Sequence, residues 1–170
     1  AWDSAPSFYP TWEEPIILFC SVPIRTMRAG RKKAPSTKKL YSTLAEPKKT
    51  KVTHLSPYRG SFAEGIDRHL LIRPGTEPFL MLGMIQVILK SGWADKQYIQ
   101  DYTTNLEKLT PLLEKWDVHR CAEICGIKAA DFSGIALKFS RAAMGIVHPG
   151  PGSFDNRNSA LTAWAWMTIH

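Results

Sequence analysis

The sequence predicts an α/β fold, a mostly parallel sheet with flanking helices. Three observations carry this. Short apolar runs of strand length alternate with longer helical patterns along the chain. The run at 15–21 (PIILFCS) is almost wholly apolar, as in a parallel strand buried on both faces. Several strand-like runs end in turns rich in Pro, Gly or Ser, and in open parallel sheets ligands collect at the carboxyl ends of the strands.

Each element has a local reason. Residues 1–14 are aromatic, Pro-containing and irregular, and are expected to lie outside the folded elements. After the strand at 15–21 comes a basic stretch with loose helical spacing around 38–44, bounded by Pro35 and Pro47. Residues 51–56 (KVTHLS) read as a second strand, followed by the turn Pro57-Tyr58-Arg59-Gly60, and residues 69–72 as a short third strand. The helix predicted over 78–91 is apolar on more than one face and should be largely buried; Pro78 stands in its first turn and Gly92 just past its end. Asp95 is expected to cap a short helix through Tyr102. Helical pieces follow at 107–116 and 118–125, broken near Asp117 and stopped by Gly126. Asp131 is expected to cap a helix over 132–143, with Ile135, Leu137 and Phe139 facing the core. A fourth strand at 144–147 runs into His148-Pro149-Gly150-Pro151-Gly152, and Asp155 or Asn156 then caps a last helix at 159–169.

The chain has 170 residues, 44% of them hydrophobic, enough for one domain or a piece of a larger one. No run of about eighteen apolar residues is present, so no membrane-spanning helix is predicted. The first residues lack a start Met and the order of a signal peptide, and the last stop inside an apolar helical pattern; both ends read as cuts, and a fragment is expected. The net charge of +7 is concentrated: residues 24–59 hold eleven Lys and Arg against Glu46 alone. Such a cluster suits phosphate, in nucleic acid or in a nucleotide-like cofactor, or forms a solvated surface. The three cysteines, Cys20, Cys121 and Cys125, have neither a disulfide framework's number nor a metal site's spacing, and read as buried thiols. His54, His69 and His119 are scattered without a partnered Ser or Cys and read as structural.

The most informative stretch is Ile72-Arg73-Pro74-Gly75-Thr76-Glu77. Pro and Gly together make a rigid turn that allows close approach. Thr76 can offer its hydroxyl to a free N–H at the helix start, and Glu77 falls in the first turn, where the helix dipole favours its charge. Helix capping explains all of this; a carboxylate at such an edge can also accept two N–H bonds from a guanine. Ser56-Pro57-Tyr58-Arg59 is either a surface turn or a contact to phosphate or ribose. No Gly-rich dinucleotide fingerprint, phosphate-binding loop, zinc-protease motif or nucleophile elbow occurs.

These residues resemble the molybdopterin oxidoreductases of the dimethyl sulfoxide reductase type. That family tends to read a strand ending in Asp-Pro-Arg, then Ala-Asp-x-x-Leu-x-Ile-Arg-Pro-Gly-Thr-Asp and a helix containing Gly-Met. The corresponding text is Ser56-Pro57-Tyr58-Arg59, then Ile66-Asp67 through Gly75-Thr76-Glu77, then Leu82-Gly83-Met84-Ile85. Gly92-Trp93-Ala94-Asp95 and Ala122-Glu123-Ile124-Cys125-Gly126-Ile127 are also similar to it. The match is specific over 51–143; at the first strand Cys20 and Val22 replace the family's Gly and Asn.

The resemblance implies a fragment of the catalytic subunit of a molybdenum-dependent oxidoreductase. Residues 15–170 would form part of a Rossmann-like domain binding molybdopterin guanine dinucleotide. It implies cofactor-binding roles for Ser56, Pro57, Arg59, Arg73, Gly75, Thr76 and Glu77: the Gly75–Glu77 turn on the guanosine end, and Arg59 and Arg73 near the pyrophosphate or bracing the turn. Ser56 and Glu77 stand where the family usually has Asp. An iron–sulfur cluster and the molybdenum ligand would belong to other segments, so no catalytic or metal-ligating residue is assigned and the fragment alone is not expected to be active. The partners implied are the rest of the same subunit and electron-transfer subunits. Two alternatives are a nucleic-acid-binding module using residues 24–59, and a degenerate, non-catalytic relative. The first expects aromatics among the cations, yet only Tyr41 and Tyr58 lie there.

Overall fold

The computed structural model describes residues 16–20, 50–57 and 66–170. Four parallel strands, β1 (Ile16–Cys20), β2 (Lys51–Ser56), β3 (Arg68–Leu71) and β4 (Gly145–Pro149), form one sheet in the order β3-β2-β1-β4. Six helices accompany it among the described residues: α1 (Glu77–Lys90), α2 (Lys96–Tyr102), α3 (Leu106–Leu113), α4 (Val118–Cys125), α5 (Ala129–Arg141) and α6 (Ser159–Ile169). A short 3-10 turn, Pro151–Phe154, links β4 to α6. The predicted α/β class with a parallel sheet is what the chain adopts. The expected irregular segment at 1–14, the helix around 38–44 and most of the basic stretch lie outside the described residues.

α1 is the central helix, packing against α4, α5 and α6. Its first turns, including Leu80, Met81, Leu82, Met84 and Ile85, are buried, whereas its last turn is half-buried and ends on the exposed Lys90. Gly83 makes this packing possible. A Cβ there would stand 2.7 Å from Phe132 Cζ and 2.8 Å from Cys121 Cβ, closer than real side chains come, so α4 and α5 approach α1 only because position 83 is bare. Leu55 of β2, Val147 of β4, Phe132 and Ile135 of α5 and Ala165 of α6 join the same core. Leu137 and Phe139, also expected in the core, are half-buried.

β4 is an edge strand, and α6 covers its open side. Trp166 Nε1 donates to the Val147 carbonyl at 2.7 Å, and the Val147 N–H donates to His170 Nε2 at 3.1 Å. Two backbone groups that a further strand could pair are thereby occupied, which blunts the edge.

Several boundaries differ from expectation for local reasons. β3 begins at Arg68, a residue early, because Asp67 already joins the ladder: its carboxylate accepts the Val52 N–H at 2.7 Å and its own N–H donates to the Val52 carbonyl at 3.0 Å. Asp131 does not cap α5, which starts at Ala129 with Lys128 in the cap position; Asp131 instead pairs with Arg68 and ties β3 to α5. β4 starts at Gly145, leaving Met144 exposed, and runs on through His148 and Pro149. α3 ends at Leu113, before the expected 116. At α6 the cap position belongs to Asn158, and the Asn156 side chain accepts the Asn158 N–H at 2.7 Å. Asp95, Asp117 and Gly126 act as expected: Asp95 accepts from Tyr98, Asp117 from His119 and Arg120, and Gly126 ends α4 in the left-handed conformation at φ 77°.

Candidate functional site

The strands finish together. Cys20 of β1 is level with Leu55 and Pro149, and Ser56 is level with Leu71. Among the described residues, Pro57 after Ser56, the turn from Ile72 to Glu77 and the segment from Gly150 to Asn158 therefore leave the sheet at one edge. The second and third meet, since a Cβ on Gly75 would lie 3.9 Å from the Asn156 side chain.

The turn before α1 is built from its own atoms. Gly75 has φ 75°, a conformation that other L-residues avoid. Thr76 Oγ1 donates to the Arg73 carbonyl at 2.6 Å, and the Thr76 N–H donates to the same carbonyl at 3.3 Å. Thr76 does hold the cap position of α1, but its hydroxyl makes no capping bond. It closes the turn backwards rather than serving the helix.

Glu77 is the unusual group. Its residue is 1% exposed, in the first turn of α1. Burial pushes its carboxyl above the ordinary carboxylate range, and the N–H groups of Glu77 and Gly75 pull the other way. Oε2 is fully buried and has no hydrogen-bond partner among the described residues. A half-satisfied buried carboxylate is costly unless something else donates to it. This acceptor, next to a bare, left-handed Gly75, can take an N–H from a planar donor or hold a proton.

The other expected site residues are placed differently. Ser56 is buried; its carbonyl accepts the Ile72 N–H at 3.1 Å and its Oγ is 3.4 Å from His69 Nε2. Pro57 is half-buried beside it, and Arg59 lies outside the described residues. Arg73 has an exposed side chain that turns away along α4, with Nη1 donating to the carbonyls of Glu123 at 2.5 Å and Ile124 at 3.2 Å. The edge thus brings together Ser56, Pro57, Gly75, Thr76 and Glu77, while the Arg73 guanidinium is committed to a helix end.

The reading of His54 and His69 as scattered histidines is corrected. They are register partners on β2 and β3, their rings stack 5.1 Å apart, and His69 reaches Ser56. Burial, with His69 beside it, lowers the His54 pKa to about 4, so His54 stays neutral near neutral pH. The spacing of His54 and Ser56 put them on one face; only the β2–β3 register could reveal His69. Asn156 was visible only as an alternative helix cap. Cys121 and Cys125 are buried and free, and burial raises their pKa values to about 12 and about 11, keeping both as thiols. Among the described residues there is no group of three metal-ligating side chains, and no helix is long and apolar enough to cross a membrane. A groove of about 800 Å³ lies at the other end of the sheet, against Gly145 at the start of β4, and is lined by apolar groups such as Ile88, Phe139 and Trp164.

No family model matches the chain. It is similar to the F420-dependent formate dehydrogenase subunit alpha of Methanocaldococcus jannaschii, with 35% identity over 83 residues, 49% of this chain and 12% of that protein. It is also similar to the acetylene hydratase of Syntrophotalea acetylenica, with 32% identity over 113 residues, 66% of this chain and 15% of that protein. These homologues are catalytic subunits of molybdopterin oxidoreductases, and that family fits this chain. Among solved structures, the acetylene hydratase from Pelobacter acetylenicus shares the fold, with a TM-score of 0.72 and 23% identity over 93% of this chain and 21% of that one. The chain thus spans 12% to 15% of the length of these two curated molybdopterin oxidoreductase relatives.

Proposed function

We propose that this chain is part of the catalytic subunit of a molybdenum-dependent oxidoreductase, and that its carboxyl edge holds the guanosine end of a molybdopterin guanine dinucleotide. The observation that carries the reading is Glu77: a buried carboxylate with one oxygen unpartnered among the described residues, beside a bare turn at the sheet edge where ligands of this class collect. A guanine edge offers two adjacent N–H donors, the complement of a carboxylate, and its binding would offset the cost of burying the acid. Gly75 has no side chain to keep a flat ring from its backbone, and Asn156 is its neighbour there. Thr76 fixes the turn, and Ser56, with its Oγ beside His69, stands where the family usually brings a charge. When bound, the cofactor supplies two-electron redox chemistry; this chain contributes orientation and exclusion of water, and no residue here is assigned a catalytic step.

The strand order 3-2-1-4, all parallel, supports reading residues 15–170 as part of a Rossmann-like cofactor-binding domain, with the order reversing between β1 and β4. Residues 1–14 are proposed to lie outside it. The relatives include both a dehydrogenase and a hydratase. What they share is therefore better sought in how a cofactor is held than in a substrate. The name "subunit alpha" in one relative supports the rest of the subunit and electron-transfer subunits as partners, with any iron–sulfur cluster in other segments. The test is the full-length protein's content of molybdenum and acid-released guanine nucleotide. A fixed ratio of both to polypeptide is expected; absence of both under conditions that load a control molybdenum enzyme overturns the reading.

A further inference from the structure

We propose that Arg73 is a positioning residue that aims Glu77 by locking the turn to the C-terminal end of α4, rather than a ligand to the cofactor's phosphates. The inference rests on reading the Gly75–Glu77 turn as the guanosine grip.

Four contacts tie the turn to that helix end. The Arg73 guanidinium donates to the Glu123 and Ile124 carbonyls in the last turn of the helix, the first of which also accepts the Gly126 N–H at 3.2 Å. The Arg73 N–H donates to the Cys125 carbonyl at 2.9 Å. The Cys125 thiol, fully buried, lies 3.6 Å from the Thr76 carbonyl and donates to it. Gly126, left-handed at the end of α4, leaves the gap through which the arginine passes: a Cβ there would come 3.3 Å from Arg73 Cγ and Nε. The charge is well placed for this job, since a cation at a helix C-terminus opposes the negative end of the dipole.

Glu77 follows this anchored turn by one residue past Thr76, and the Gly75 N–H inside the turn favours its charged form. A shift of the turn moves the unpartnered oxygen with it. Lysine in place of arginine keeps the charge, but its shorter, non-planar head does not reach the Nη1 position from which both carbonyls are served.

The experiment uses full-length protein stripped of cofactor, with guanosine diphosphate and adenosine diphosphate as probes, titrated at two salt concentrations. In Arg73→Lys, guanosine diphosphate affinity is expected to fall about tenfold, preference over adenosine diphosphate to narrow, and the salt dependence to stay that of the unsubstituted protein. Gly126→Ala should do the same more weakly. A phosphate contact behaves otherwise: Arg73→Lys would bind nearly normally, and Arg73→Ala would bind both nucleotides less well with a shallower salt dependence. That result overturns the proposal. Glu77→Gln separates the two ideas. If it abolishes guanine preference while both Arg73 variants keep it, the grip stands and the brace falls. If the unsubstituted protein shows no guanine preference, the grip falls and the brace with it.

Discussion

Glu77 concentrates the account at the scale of one residue. Its carboxyl titrates above its ordinary value in the fold because burial disfavours the charge. An acid whose folded pKa is raised costs stability above that pKa, and the cost disappears as pH falls below the unfolded value. In cofactor-free protein, Glu77→Gln is therefore expected to slow amide exchange in the first turn of α1 at neutral pH. The gain should vanish as pH drops into the carboxylate range; no gain at neutral pH would show that the acid is not strained. Gly75→Ala is expected to destabilise the turn by about 1 kcal/mol through its left-handed backbone, read as faster exchange at Thr76 and Glu77. The Pro-Gly turn and the acid were legible from the sequence, because turn residues act locally. The burial of that acid was not, since it depends on what α1 packs against.

Elements add two tests. Gly83 lets α4 and α5 close on α1, and adding one methyl group there should cost about 1–3 kcal/mol by overpacking. Gly83→Ala is expected to lower the melting temperature, while Gly134→Ala, which meets open space in α5, should not lower it. On β2, His54 is held neutral with a pKa of about 4. A base with a lowered folded pKa contributes stability that is present above its unfolded value and lost as pH falls. Local stability of β2 should then drop between about pH 6.5 and pH 4, by on the order of 3 kcal/mol at most. His54→Gln should flatten that slope in amide exchange. The element order was legible because apolar runs and punctuation by Gly, Pro and Asp report local structure, as at Asp95, Asp117 and Gly126. The misplaced caps at Asp131 and Asn156 have one cause: each side chain has a tertiary or loop partner, Arg68 or the Asn158 N–H, that local spacing cannot show. The His54–His69 stack needed the strand register for the same reason.

At the scale of the whole molecule, the chain's place in the molybdopterin oxidoreductase family rests on relatives of which it spans a small share. The family resemblance was legible in a few words of sequence, above all Ile72–Glu77 with Leu82-Gly83-Met84. What those words do together required the sheet, which sets Ser56, Gly75 and Asn156 at one edge. The most direct test is the guanine nucleotide released from purified full-length protein carrying Glu77→Ala, beside the unsubstituted protein. The account predicts that the substituted protein folds but retains about a tenth or less of the nucleotide. Full retention, with the metal content unchanged, would contradict it.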